Sequence, residues 1–268
     1  MGVAGIVKAE LYLQISWLRS NRILFALQLF WPYTAILVIY VMGSAYGSVE
    51  NLASALGVED PLLYIVAASA IMFAASGIID QTASVALWHR WLGTLPYIYT
   101  STPSFTRYLL VSGLTSSLFQ SAFNFLALAP AAFIIGGLSS GLRLFLVFAV
   151  MIIGALPLIG LGITAAIASI LAREEGNVLS FLNPLLVFLG GVFYPIEILP
   201  RILQEASTII PVRYVVDAAR LAAGFQTPTG QGILLILYSL ALLIVLYNGL
   251  ASLGVSRLER ATRKRGLY

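Results

Sequence analysis

The chain has 268 residues, of which 60% are hydrophobic and 10% charged, and its formal net charge is +4. Soluble domains are about half apolar and about a quarter charged, so most of this chain must have lipid as its solvent. The absence of cysteine and the single histidine exclude disulfides, thiolate chemistry and multi-histidine metal sites. The two lysines, Lys8 and Lys264, lie outside any G-x-x-x-x-G-K-[ST] motif, so we expect no ATP site in this chain.

Apolar runs long enough to cross a membrane recur from one end of the chain to the other. A helix needs about 20 mostly apolar residues to cross the hydrocarbon core. We therefore predict an all-α integral membrane protein, a single domain over 1–268 with six transmembrane helices. Their approximate bounds are 23–42, 62–84, 108–135, 142–171, 178–194 and 232–254. No small-residue cleavage site closes the first apolar run, so we expect that span to be retained.

The basic residues are divided unequally between the two sides that six spans would create. Four of the 15 lie on one side, and the remaining 11 lie on the side that holds both termini. The positive-inside rule makes the richer side cytoplasmic, so both termini are predicted to be cytoplasmic. We interpret the basic tail, 255–268, as a contact with anionic lipid headgroups rather than as a nucleic-acid patch. The four on the poorer side are Arg143, Arg201, Arg213 and Arg220.

Residues 5–20 place apolar side chains near one another at helical spacing, with polar residues between them. This pattern predicts a helix that lies in the cytoplasmic interface before the first span. A ragged cytoplasmic extension of the first span is the alternative.

The segment 85–106, between the second and third spans, is too polar to cross a membrane and is rich in aromatic residues. Aromatic rings are typical of a headgroup boundary, and the glycine and prolines divide the segment into short pieces. A short cytoplasmic helix that meets a partner and an aromatic belt without a partner fit equally well. The residues concerned are Trp88, Trp91, Gly93, Pro96, Tyr97, Tyr99 and Pro103.

The third span has one small and polar face, and the fourth span contains helix breakers. In lipid the polar face must turn towards protein or towards a water-filled path. Helix packing through small residues and lining of a transport route are both possible. The face comprises Gly113, Ser117, Gln120, Ser121 and Asn124. In the fourth span Gly154, Pro157, Gly160 and Gly162 predict a kink.

The fifth span is short and is interrupted by Asn183-Pro184 and Gly190-Gly191. Three prolines then divide 195–225 into a turn and two short helices, near 200–210 and 212–224. Neither helix can cross a membrane, so we predict re-entrant helices at the outer face. In the second of them Arg213, Asp217 and Arg220 are spaced to pair along one face.

This outer stretch resembles the signature of type-2 ATP-binding-cassette exporter permeases, the ABC-2 transmembrane subunits. The motifs concerned are G-G-V-F-Y-P-I-E-I-L-P at 190–200 and I-P-V-R-Y-V-V-D-A-A-R at 210–220. The order of the other features is similar to that family along nearly the whole chain. The resemblance implies a non-catalytic permease subunit in the plasma membrane that dimerises with itself or with a homologue. It also implies two cytoplasmic ATPase partners, which bind the ATP and Mg.

The resemblance assigns roles to particular residues. Residues expected to dock onto the ATPase are Trp88, His89, Arg90, Trp91, Gly93, Thr94, Leu95, Pro96 and Pro103. Residues expected to shape the outer re-entrant helices are Gly190, Gly191, Tyr194, Pro195, Pro200, Pro211, Arg213, Asp217 and Arg220. Candidates for lining the path are Phe25, Phe30, Phe73, Phe188, Gln120 and Asn124, with lipid contact as the alternative for each phenylalanine.

The sequence leaves the substrate and some other functions open. A hydrophobic drug or a lipid is the preferred substrate class, and a polysaccharide or lipid-linked glycan is the alternative. A stand-alone intramembrane enzyme would have to use Asp80, His89 and Glu174 or Glu175, although Asp80 is also typical of a carboxylate at a helix end that reaches headgroup water. A membrane scaffold without transport is the third possibility.

Overall fold

The residues that the structure describes are almost all helical. It is a computed structural model, and it describes residues 2–45, 60–94, 97–98, 101, 104–172, 177–225 and 230–265. Within these ranges there is no strand, so the predicted all-α fold class is confirmed. The helices are α1 Val3–Ser20, α2 Arg22–Ala45, α3 Pro61–Trp91, α4 Phe105–Ala172, α5 Asn177–Leu189, α6 Arg201–Ser207, α7 Pro211–Ala222 and α8 Gly230–Arg265.

Helix α4 is two antiparallel arms joined at a pair of glycines. Gly136 (φ −142°, ψ 23°) and Gly137 (φ 62°, ψ −147°) have non-helical dihedral angles. The rings of Phe125 and Phe148, one on each arm, lie 4.9 Å apart between centroids. In a straight helix these residues would be about 34 Å apart, so the chain must fold back at the glycines. The outer loop predicted at 136–141 is therefore reduced to this two-residue break.

Three helical segments in the described part of the chain are long and apolar enough to cross a membrane. They are Pro61–His89, Phe105–Ile170 and Gly232–Arg257, and the second contains both arms of α4. Helix α5 has 13 residues, a length of about 20 Å, and it ends at Leu189 rather than at the predicted 194. The count of six spans stays a prediction.

Two helices extend past their predicted ends. Helix α3 continues from the predicted end at 84 to Trp91, because no glycine or proline interrupts it before Gly93. The first part of the predicted loop 85–106 is therefore helical. Helix α8 continues through the predicted tail to Arg265.

The core of the bundle lies between α3 and α4. Small residues on α3, such as Ala70, Ala74 and Ala83, are fully buried and let the helices approach closely. A Cβ built at Gly113 would lie 2.9 Å from Thr82 Cγ2. Ser117 Oγ lies 3.1 Å from Thr82 Oγ1 and donates to the carbonyl of Ile78 at 3.2 Å. This part of the polar face on the first arm of α4 therefore serves helix packing.

The glycines predicted to kink the fourth span have another role. Gly154, Gly160 and Gly162 lie within continuous helix in the second arm of α4. Each faces a neighbour so closely that a Cβ would lie within 2.9 Å of it, at Val215, Tyr247 and Ile79 respectively. The break in helical dihedral angles lies at the Gly136-Gly137 pair, and the kink expected in the second arm around Gly154, Pro157, Gly160 and Gly162 stays a prediction.

Replacement of Gly160 by leucine is expected to separate α4 from α8. A Cβ at this position would lie 2.6 Å from the carbonyl carbon of Tyr247 and 2.7 Å from the Asn248 nitrogen, which are backbone atoms that cannot rotate away. We expect a loss of about 1–3 kcal/mol of unfolding free energy. Gly249→Leu is the matched control, since nothing lies within 4 Å of a Cβ there. Unfolding in detergent followed by circular dichroism measures both, and equal stabilities would contradict this packing.

Candidate functional site

The segment predicted to meet an ATPase begins as the cap of helix α3. Gly93 has φ +67°, and the Thr94 amide donates to the carbonyl of His89 at 2.9 Å. A glycine with positive φ and this hydrogen bond make a Schellman cap. The amides of Tyr97 and Ile98 donate to the Thr94 carbonyl, at 3.1 Å and 3.3 Å.

His89 connects this cap to the beginning of α4. Its Nδ1 lies 2.9 Å from Thr94 Oγ1, and its Nε2 lies 2.8 Å from the Tyr108 hydroxyl. The tautomer decides which partner accepts from the ring. His89, which lies on α3, therefore joins the cap to α4 through its two ring nitrogens.

The aromatic residues beside the cap remain on the surface. The rings of Trp88 and Trp91 lie 5.6 Å apart between centroids and are tilted by 37°, and Trp91 is 71% exposed. Arg90 lies in the last turn of α3. Leu95, Pro96 and Pro103 lie outside the described residues, as do Glu174 and Glu175.

Helix α1 is fastened to α4 by a buried carboxylate that sequence reasoning did not single out. Glu10 is 8% exposed and accepts hydrogen bonds from Ser112 Oγ and from Gln14 Nε2. Its position on an amphipathic helix gave no sign of burial, because the Ser112 hydroxyl that donates to its carboxylate comes from another helix. A cavity of about 570 Å³, the Glu10 cavity, opens beside it between α1, α3 and α4, and His89 also lines it.

A second cavity, the Asp80 cavity, has a volume of about 700 Å³. Asp80 lies well inside α3 and accepts from Asn183 Nδ2 at 2.6 Å. Its interpretation as a helix-end carboxylate was wrong, since α3 continues to Trp91. Four of the predicted path residues line this cavity, namely Phe73, Gln120, Asn124 and Phe188.

The other two predicted path residues lie elsewhere. The ring of Phe25 packs against that of Phe123 at 5.3 Å, and Phe30 is 67% exposed on α2. The polar face of the third span is thus divided: Gly113 and Ser117 pack against α3, while Gln120 and Asn124 line the cavity.

The two cavities adjoin along one face of α3. Gln28, Gln81 and Gln120 line both of them. The lining residues of α3 recur in pairs at four-residue steps, from Met72-Phe73 to Trp88-His89. This face is about 25 Å long at 1.5 Å per residue, which approaches the roughly 30 Å of the hydrocarbon core. The repeat was visible in the sequence and could have identified α3 as a lining helix.

The outer signature forms a tight turn after α5. Gly190 and Gly191 follow the last residue of the helix, and Gly191 has φ +61°. A Cβ at Gly190 would lie 2.6 Å from Val212 Cγ1 on α7, so only glycine permits this approach. Pro195 precedes a short 3₁₀ turn, Ile196–Ile198, and Pro200 precedes α6.

Arg220 holds this turn together from the far end of α7. It is 5% exposed, and its Nη2 donates to the carbonyls of Gly191 at 2.6 Å and Tyr194 at 3.2 Å. The same guanidinium donates to the Tyr64 hydroxyl on α3 and lies 5.4 Å from that ring. Tyr64 was missed in the sequence, because nothing local distinguishes it from other apolar positions of α3.

The predicted row of ion pairs on α7 is present in part. Arg220 Nη1 lies 4.0 Å from Asp217 Oδ1, whereas Arg213 Nη1 donates to Ser207 Oγ at 2.8 Å. Burial raises the pKa of the Asp217 carboxyl above its ordinary value, although the Arg220 and Arg213 charges oppose that shift. Arg213 therefore fixes α6 to α7, and Arg220 fixes α7 to the signature turn.

Comparison with known families gives a match over most of the chain. The model of the ABC-2 type transporter family matches residues 11–223, about four-fifths of the sequence. The chain belongs to the ABC-2 type transporter family. The predicted resemblance is thereby confirmed, and the comparison with curated proteins returned no match.

The matched part of this ABC-2 domain contains the α3 cap, the Asp80 cavity, the outer signature turn and the lining of the Glu10 cavity except Glu10 itself. The family is one of transport permeases, and together with the apolar helices it indicates a membrane protein. The residues named for an intramembrane enzyme do not meet, since Asp80 and His89 are about 13 Å apart along α3. No group of three or more His, Cys, Asp or Glu side chains that could hold a metal occurs in the described ranges.

Proposed function

We propose that this ABC-2 chain is the membrane subunit of an exporter that moves hydrophobic drugs or lipids out across the plasma membrane. In this proposal the chain crosses the membrane six times with both termini in the cytoplasm, and two copies form the path. Two separate ATPase subunits bind ATP and Mg and supply the energy. Family membership supports an ABC transporter permease.

The observation that carries the proposal is the pair of adjoining cavities along α3. They extend from the cap that is expected to meet the ATPase to the residues of the outer signature, including Phe193 and Tyr194. The Asp80 cavity is lined mainly by apolar and aromatic side chains, and its volume falls within the usual 300–1,000 Å³ of small-molecule sites. The apolar and aromatic side chains support a hydrophobic substrate, while the amide and carboxyl groups of the same lining keep a glycan as the alternative.

The geometry also suggests how ATP hydrolysis drives transport. Helix α3 is continuous over 31 residues, and it carries the cap at one end and lines both cavities. When the ATPases close, the cap moves with them, and the rigid helix tilts its cavity-lining face. The outer turn, which Arg220 ties to Tyr64 on the same helix, receives the movement at the other end.

Reconstitution with ATPase subunits tests this function. Tagged permease is co-expressed with candidate ATPases, and native mass spectrometry is expected to give two permeases and two ATPases. In proteoliposomes, ATP is expected to move NBD-labelled phosphatidylethanolamine or rhodamine 6G across the bilayer. A hydrolysis-deficient ATPase is the control.

The outcomes separate the alternatives. Association with ATPases and stimulation without movement of either probe would favour a lipid-linked glycan as the substrate. Failure of every candidate ATPase to associate, across several detergents and lipids, would contradict the proposal and favour a scaffold.

A further inference from the structure

Asp80 is the one charged side chain among the described residues that line the Asp80 cavity. It lies on the cavity-facing side of α3, and the described part of the chain gives it a single hydrogen bond, from Asn183 Nδ2 to Oδ1. A carboxylate accepts about four hydrogen bonds, so most of its acceptor capacity faces the cavity. No basic side chain among the lining residues compensates its charge.

An uncompensated carboxylate at this depth is costly. Ionisable residues within membrane segments are rare, and they pair with another group or mark a pathway for ions or substrates. Asn183 provides only an amide, and its own Oδ1 is buried without a partner in the described residues. The site thus presents acceptor oxygens, and a positively charged group is what would satisfy them.

Several aromatic rings share the cavity with the carboxylate. Phe73, Phe188, Tyr194 and Trp31 all line the same cavity. Aromatic faces attract cations through their quadrupole, and this attraction is stronger where water is excluded. A cavity with one carboxylate and several rings is complementary to an apolar molecule that bears a cationic group.

We propose that the Asp80 cavity binds amphipathic cations, with the Asp80 carboxylate as the counter-ion for their positive group. The inference rests on the proposed function in taking this cavity as part of the path, and it adds the charge class of the substrate. Neutral lipids of similar size bind more weakly, and anions are rejected because no basic side chain among the described lining residues balances the carboxylate.

Two ions of nearly identical size and shape but opposite charge test this selectivity. Binding of tetraphenylphosphonium and tetraphenylborate is measured by equilibrium dialysis on purified permease in nanodiscs, with empty nanodiscs subtracted. Wild-type protein is expected to bind the cation saturably and at least tenfold more tightly than the anion. Asp80→Asn is expected to weaken cation binding about tenfold or more and to leave anion binding equal or stronger.

Matched variants separate charge in the cavity from charge in general. Asp60→Asn removes a carboxylate from an exposed position just before the same helix, and it is expected to leave cation binding unchanged. Asn183→Asp adds a second carboxylate beside Asp80. Because two carboxyl groups this close share one proton near neutral pH, tighter cation binding is expected at alkaline pH, where both are ionised. This gain of function keeps the test decisive if Asp80→Asn should fail to fold.

Equal affinity for the two ions in the wild type, or unchanged cation binding in both folded Asp80→Asn and Asn183→Asp, would overturn the inference. The measurement needs no ATPase, so its failure is distinguishable from failure of the proposed function. If the permease associates with its ATPases but shows no charge preference, only the role of Asp80 as a counter-ion is contradicted, and the proposed function stands.

Discussion

Replacing Arg220 with methionine is expected to lower the free energy of unfolding by about 3–5 kcal/mol. Methionine has a similar length but donates no hydrogen bond. The carbonyls of Gly191 and Tyr194 and the hydroxyl of Tyr64 would then lose the donor that the guanidinium provides. Buried acceptors left without a partner are among the largest single causes of instability in a mutant.

A surface arginine provides the control for this change. Arg201, whose side chain is 92% exposed, forms an ion pair with Glu205 at 3.3 Å, and exposed pairs contribute about 0–1 kcal/mol. Arg201→Met is therefore expected to stay near wild type in a detergent titration followed by circular dichroism. Similar losses for the two variants would show that the Arg220 contacts do not stabilise the signature turn.

Replacing Gly93 with proline is expected to reduce ATPase stimulation to the level of the ATPase alone. Proline fixes φ near −65°, whereas Gly93 has φ +67°, so the α3 cap cannot form. The contact between His89 Nδ1 and Thr94 Oγ1 would be lost with it. The rest of the bundle does not depend on this cap, so we expect the subunit to remain in the membrane.

Gly137→Pro is the matched control. Gly137 also has positive φ, and no atom lies within 4 Å of a Cβ there. Both substitutions therefore place proline, with its φ near −65°, at a position where φ is positive. Gly137, however, is at the opposite end of the bundle. The ATP hydrolysis rate of the reconstituted complex measures both variants, and full stimulation with Gly93→Pro would remove the coupling role from the cap.

The cap of α3 could be predicted in location but not in structure. Aromatic residues followed by Gly93 and Thr94 indicated a break near that point, because glycine is the usual residue after a helix. The attachment of the cap to α4 depends on Tyr108, and that of α1 depends on Ser112. Both partners are distant in sequence from the groups they bind, so no local pattern could reveal them.

The residues that line the Asp80 cavity were predicted less well than the outer signature. Composition marked Gln120 and Asn124 as polar residues needing protein or water, and both line the Asp80 cavity. Phenylalanines give no such signal, since lipid and a cavity accept them equally, and Phe25 and Phe30 lie outside it.

By itself the sequence determined that this protein is helical, that it belongs in a membrane and that glycines and prolines divide its outer segment. These properties follow from local effects. They are the free-energy cost of unpaired backbone groups in lipid and the backbone dihedral angles that glycine and proline can adopt. Only the tertiary structure decided that α4 folds back at Gly136-Gly137, that Arg220 ties the signature turn to Tyr64 and that Asp80 faces a cavity. Each of these depends on which distant helix supplies the neighbouring atom, and a periodic pattern along one helix carries no record of its partner.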